Sequence, residues 1–449
     1  MRNPTWFSVL GLLIVALLAV RCAPSTPVAT PTALALVIPT ATQLVPSPTL
    51  SSSPTTVAPT RTSTRTTTPT VFATITRQLP STRTPTIGPR MTLIAGRQCP
   101  GGVKVAYLDP GPDPADFHWS SAILPMNDPC VWSILVHPKD DQLWFVGGSN
   151  GLYITRDSGA TWEHPLPWNV GAFLGSSWIT LDPNDLNQIY AFASGPDKQT
   201  LYWSGDLGRT WQVRTKFAQY AASLLVSKDG TIYAPSCATT QTSFNGVFIS
   251  RDKGVTWQPI SFGSQYHGLL CWSIAQDPLD GTLYVGAEIY DHQPQPYHPP
   301  FFRSRDSGKT WQDISSNGLT WHVIAMQIDP RDGYLLAQQE GARFAGSADH
   351  GDHWQTLGYA GGFAVLMDPQ YPNRIFSGSS FTQGHSGGLF MSTNRGLGVQ
   401  EIGLLGVDVN GISLNASETR IYVASNGSGI YTSPIPASAL PAATSTPTR

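Results

Sequence analysis

Charge is the scarcest property of this chain. Only 12% of its 449 residues are Asp, Glu, Lys or Arg, and 27 cationic against 29 anionic side chains leave a net charge of −2. That balance attracts no polyanion. It argues against nucleic acid as a partner and gives no electrostatic pull toward an anionic membrane surface. Chemical signatures are missing as well: the chain has no CxxC or Cys/His spacing for zinc, no HExxH, no phosphate loop and no serine nucleophile elbow. No cofactor and no metal are therefore expected. Cysteines number five. One extended apolar run occurs, Trp6 to Val20, and it is short for a spanning helix.

That run follows Arg2 and ends just before Cys22, so residues 1–22 read as an export signal. The sequence around Cys22, with Ala23, Pro24 and a polar linker behind it, is similar to a bacterial lipoprotein signal, which implies lipidation of Cys22. Arg21 occupies the place such a signal reserves for a small residue, so plain secretion or a retained anchor stays open. Any membrane contact is expected only through this N-terminus. Residues 23–90 are almost entirely Thr, Pro, Ser, Ala and Val. Dense proline without a repeating apolar face builds no core, and a disordered, semi-extended stalk is expected. The tail, 436–449, has the same composition and the same expectation. Setting Cys22 aside leaves four cysteines, which an exported chain can oxidise. Of the three pairings, proximity favours Cys99–Cys130 and Cys237–Cys271.

What the chain has in abundance is one turn. TRDSGATW (155–162), SGDLGRTW (204–211), SRDKGVTW (250–257), SRDSGKTW (304–311) and SADHGDHW (347–354) are copies of it, and STNRGLGV (392–399) is a worn sixth. The anchoring positions 157, 206, 252, 306, 349 and 394 are spaced by 43 to 54 residues. Each unit contains four short runs rich in β-branched and aromatic residues: one ending in a turn, often Asp-Pro, a second such as TLYVGA, a third entering the repeated turn, and a fourth after the Trp. Periods of ~40–50 residues with four strands apiece make propeller blades. Seven second and seven third strands occur, but only six complete fourth strands, so residues 91–435 are read as an all-β, seven-bladed propeller. An unpaired outer edge would leave backbone groups exposed. ADFHWSSAIL (115–124) is expected to supply the missing strand, with VKVAYL (103–108) as competitor. Asp157, Asp206, Asp252, Asp306 and Asp349 read as structural staples, each accepting local N–H bonds across a tight turn, with the Gly two residues on at positive φ.

These turns resemble Asp-box, or BNR, repeats over roughly 130–433. The resemblance implies kinship with sialidases, sortilin-type receptors, xyloglucan-cleaving hydrolases and photosystem II assembly factor-like propellers, a group that mixes enzymes with binding scaffolds. A sialidase would imply six blades, an arginine triad and an Arg-Ile-Pro motif. This chain has seven blades and no such motif, and Arg156, Arg251 and Arg305 lie within the repeated turns. Xyloglucan-type hydrolases imply two facing rings with a carboxylate from each, and this chain has room for one ring.

Alternating strands put the repeated turns on one rim and the longer second-to-third and fourth-to-first loops on the other. Binding chemistry belongs with the loops. Trp178, Tyr220, Trp272, Tyr290, Trp321 and His322 are the candidate contacts there. Glu288 and Glu340, ending the second strands of adjacent blades, are the acid/base candidates. The expected function is non-enzymatic recognition of a glycan or an extracellular protein or peptide by a surface-exposed monomer. The alternative is an extracellular glycoside hydrolase acting on polysaccharide.

Overall fold

Every repeated unit folds into a small antiparallel sheet, and seven such sheets stand around a ring. The computed structural model describes residues 117–439, apart from 121–122, 129, 168–178, 195–198, 218–220, 222, 238–243, 267, 290–298, 341–342, 360–361, 363 and 380–386. The export signal, the stalk, the 103–108 segment and Cys99 lie outside the described residues. Six sheets have four strands in simple up-and-down order. Blade 4 is typical, running Leu269–Gln276, Leu283–Ile289, Phe301–Ser304 and Gln312–Asp313. Blade 3 is the irregular one: its innermost strand shrinks to Leu225–Val226, supplemented by a single bridge from Ala221 to Ser236.

Second strands read as unbroken apolar runs because neighbouring blades cover both of their faces. Every residue of Ile232–Ser236 in blade 3 and of Ile375–Ser379 in blade 6 is buried. The apolar clusters correspondingly bridge consecutive blades. Phe262 after blade 3, for example, stacks on Phe302 of blade 4 at 3.9 Å with an interplanar angle of 2°.

Blade 7 has three strands of its own, Val409–Leu414, Arg420–Ser425 and Gly429–Pro434. Its open edge is taken by the segment before blade 1. Ile123 N–H donates to Ile430 O at 2.8 Å and Ile123 O accepts from Ile430 N–H at 2.9 Å, while Ser120 N–H donates to Thr432 O at 2.8 Å. The amide of His118 continues the contact, reaching Ser433 Oγ at 2.9 Å. Ring closure also has an apolar component, since Trp144 of blade 1 meets Tyr422 of blade 7 edge-on at 4.9 Å.

The described residues run past 435 to 439. Ala437–Ala439 forms a short 3-10 turn, and Ala439 is buried against the cluster of blades 6 and 7. Ile435 is buried in the same cluster. Cys237 and Cys271 form a disulfide joining blades 3 and 4. Cys130 is also disulfide-bonded.

The repeated turns share one hydrogen-bond network. In blade 1, Thr155 Oγ1 donates to Asp157 Oδ1 at 2.8 Å, Thr161 N–H to the same oxygen at 2.8 Å, and Thr161 Oγ1 to Oδ2 at 2.6 Å. Asp206, Asp252 and Asp306 repeat this with Thr210, Thr256 and Thr310, and Asp349 does so with His353. The Thr161 hydroxyl and amide hold the Asp157 carboxyl below its ordinary range, and the same pair from Thr256 brings Asp252 to about 2. The turn needs two left-handed residues rather than one. The position after each Asp, or after Asn394, also has positive φ: Ser158, Leu207, Lys253, Ser307, His350 and Arg395 lie between 57° and 59°. None of these is glycine, which is why the sequence pattern did not reveal them.

Candidate functional site

On the loop rim, blades 4 and 5 converge. The first strand of blade 4 carries a β-bulge between Cys271 and Ser273, leaving Trp272 as the extra residue. A bulge re-aims its side chain. Here the indole Nε1 of Trp272 donates to Glu288 Oε2 at 2.9 Å. Glu288 is cross-strand from Leu270, at the end of the second strand. Blade 5 contributes His322, just ahead of its first strand Val323–Ile328 and only 2% exposed. The imidazole stacks on Trp272, with centroids 6.0 Å apart and planes at 17°.

His322 stands between the two candidate carboxylates. Its Nε2 lies 3.4 Å from Glu288 Oε2, and its Nδ1 lies 3.8 Å from Glu340 Oε2. Glu340 is tied to the same residue by its backbone, donating its N–H to His322 O at 3.1 Å. The carboxylates differ in access: the Glu288 side chain is 12% exposed and that of Glu340 41%. A neutral imidazole can donate from one ring nitrogen only, whereas an imidazolium donates from both. Gly286 permits the close approach of the blades, because a Cβ there would overlap the carbonyl oxygen of Val323.

Trp321 completes the surface. Its side chain is among the exposed large apolar groups, at 37%. Gln339, buried, accepts from the backbone N–H groups of Thr320 at 3.0 Å and Trp321 at 2.8 Å, fixing the loop that presents it. Nothing in the sequence marks Gln339, since an uncharged amide in a buried strand carries no signal of its own. Trp272, Trp321, His322, Glu288 and Glu340 are thus brought to one place. Trp178, Tyr220 and Tyr290 lie outside the described residues. The five Asp staples sit one per blade on the opposite rim and do not converge.

A cavity of about 550 Å³ lies among the innermost strands, walled by Ile134, Leu181, Gln327, Leu366 and Ile412. Pro138 and Pro369 place it toward the rim of first-to-second turns. It is separate from the Trp272–His322 cluster.

Comparison with known proteins connects the chain to carbohydrate-active enzymes at low identity. No family model matches. An oligoxyloglucan-reducing end-specific xyloglucanase of Emericella nidulans is 25% identical over 219 residues, 42% of this chain and 24% of that protein. A probable enzyme of the same description from Neosartorya fischeri is 24% identical over 308 residues, 56% of this chain and 36% of that protein. The chain thus spans only a quarter to about a third of these relatives. Among solved structures, a GH74 enzyme of Niastella koreensis superposes with a TM-score of 0.51 at 18% identity, covering 70% of this chain and 53% of that one. That likeness bears on the propeller fold alone.

Proposed function

We propose that this chain is an exported, polysaccharide-active propeller of glycoside-hydrolase type, engaging a sugar chain across the loop rim of blades 4 and 5. The observation that carries this reading is the convergence of Glu288, His322 and Glu340 beside Trp272 and Trp321. The matches to xyloglucanases support a β-glucan as the substrate class. Glycosidases flank the scissile bond with two carboxyl groups, ~5–5.5 Å apart for retention or ~6.5–9.5 Å for inversion. An imidazole standing between Glu288 and Glu340 holds them apart, which argues against the narrow, retaining arrangement. Glu340, open to solvent, is the group that meets the sugar first. Glu288 works from beneath, oriented by the Trp272 indole and His322. Trp321 offers an apolar face for a pyranose ring. On this reading the repeated turns are Asp-box staples, and the Thr/Pro stalk holds the ring away from the envelope.

The test is a reducing-sugar assay of the full chain on xyloglucan and other plant β-glucans. Release of reducing ends, lowered ~10²-fold or more in Glu340→Gln and Glu288→Gln, supports the reading. A second reading, glycan capture without turnover, is favoured by an exposed Trp321 indole beside a Glu288 carboxyl that is itself only 12% exposed. Binding without hydrolysis, weakened by Trp321→Ala, would establish it. Neither turnover nor binding on any of these glucans would overturn both.

A further inference from the structure

On the rim of the repeated turns, blades 4 and 5 each carry an Asp-Pro-x-Asp turn, Asp277-Pro-Leu-Asp280 and Asp329-Pro-Arg-Asp332. In both, the first Asp is completely buried. In both, the residue that reaches it comes from the next blade, at the left-handed position just after the anchor of the repeated turn.

In blade 5 that residue is Arg395. Its guanidinium contacts Asp329 and lies 2.8 Å from Asp332 Oδ2, and Arg331 adds a second cation at 2.8 Å from Asp329 Oδ2. Two guanidiniums therefore balance two carboxylates. Blade 4 has lost both, with Leu279 where blade 5 has Arg331 and His350 where it has Arg395. The nearest other cations do not compensate. Arg303 donates to His350 O at 2.8 Å and to Asp352 Oδ1 at 2.7 Å. Neither Arg303 nor Arg305 bonds either carboxylate among the described residues.

What remains is a polar cleft lacking a cation. Asp277 Oδ2, fully buried, and His350 Nδ1 have no hydrogen-bond partner among the described residues. His350 Nδ1 lies 3.6 Å from Asp277 Oδ2 and 3.9 Å from Asp280 Oδ2, and the three atoms fall within 4.8 Å of one another. The Tyr284 hydroxyl is unpartnered too. A tetrahedral ion with metal–ligand bonds near 2.0–2.2 Å separates its ligand atoms by about 3.4 Å, close to the 3.6 and 3.9 Å that part His350 Nδ1 from the two carboxylates. His350 and Asp280 are 43% and 46% exposed, which leaves a path of entry.

We propose that Asp277, Asp280 and His350 form a binding site for a first-row divalent cation of the zinc class, clamping blade 5 to blade 4 where blade 5 and blade 6 use arginine. Two carboxylates and one imidazole suit such an ion, and a water can complete its coordination. The buried charge of Asp277 gains its counter-ion from solution instead of from the chain.

The test is a titration of chelator-stripped full chain with Zn²⁺ alone, read by calorimetry and by thermal unfolding. One equivalent is expected to bind and to raise the unfolding temperature. His350→Ser places at this position the residue that Ser158 and Ser307 provide in other copies, so the turn survives while the nitrogen ligand is lost. Zinc affinity should fall at least tenfold. His350→Arg should abolish binding and raise the unfolding temperature of the metal-free chain, since it restores the inter-blade arginine that Arg395 provides to blade 5. No zinc binding by the unaltered chain, or binding unchanged in both variants, would overturn the proposal. So would a thermal shift by zinc that persists in His350→Arg.

Discussion

The indole of Trp272 and the carboxylate of Glu288 are bonded across a β-bulge, Nε1 to Oε2 at 2.9 Å, and His322 stacks on the same indole. Trp272→Phe keeps the stacked ring and removes the donor. Hydrogen bonds to charged groups contribute ~1.5–3 kcal/mol. The variant should lose stability of that order in urea unfolding, and a double-mutant cycle with Glu288→Gln should return a coupling energy of at least ~0.5 kcal/mol. Additive single effects would show that the contact is incidental.

Closure of the ring rests on backbone donors from before blade 1. Ile123→Pro removes the N–H that reaches Ile430 O and leaves the apolar character of the position in place. One ladder bond contributes only ~0.5–1.5 kcal/mol, but proline also conflicts with pairing at this edge. The expected outcome is a lowered urea midpoint together with faster proteolysis near residues 118–123 and 430–433. Cleavage confined to other loops would show that the closing segment is dispensable.

Glu418 gives the fold a pH dependence. Burial first, then a hydrogen bond and the charge of Asp368, push its carboxyl up from 4.5 to about 8. The protonated form is the one the folded state favours. Its contribution is complete below pH 4.5 and is lost as pH rises through about 8. Stability should therefore decline across that interval, and Glu418→Gln should flatten the decline. A variant whose pH profile parallels that of the unaltered chain would assign the dependence to another group.

Much of this architecture was legible in the residues. The period of the repeated turn, the apolar second strands and the deficit of one outer strand led to seven blades and to the 115–124 segment as the closing piece, because strand pattern and turn chemistry are local. Glu288 and Glu340 could be named together, since equivalent strand ends of adjacent blades share a rim. The second left-handed residue of each turn escaped notice, being Ser, Leu, Lys, His or Arg rather than Gly.

The sequence by itself determined the number of units, the strands within them and the rim on which each loop lies, all of which follow from short-range periodicity. Only the tertiary structure decided that His322 stands between Glu288 and Glu340, and that His350 faces Asp277 and Asp280. Those encounters depend on how tightly one blade packs against the next and on a bulge that turns a single indole. Contacts across a blade interface are set by backbone approach and side-chain rotamer, and neither leaves a mark in the order of residues along the chain.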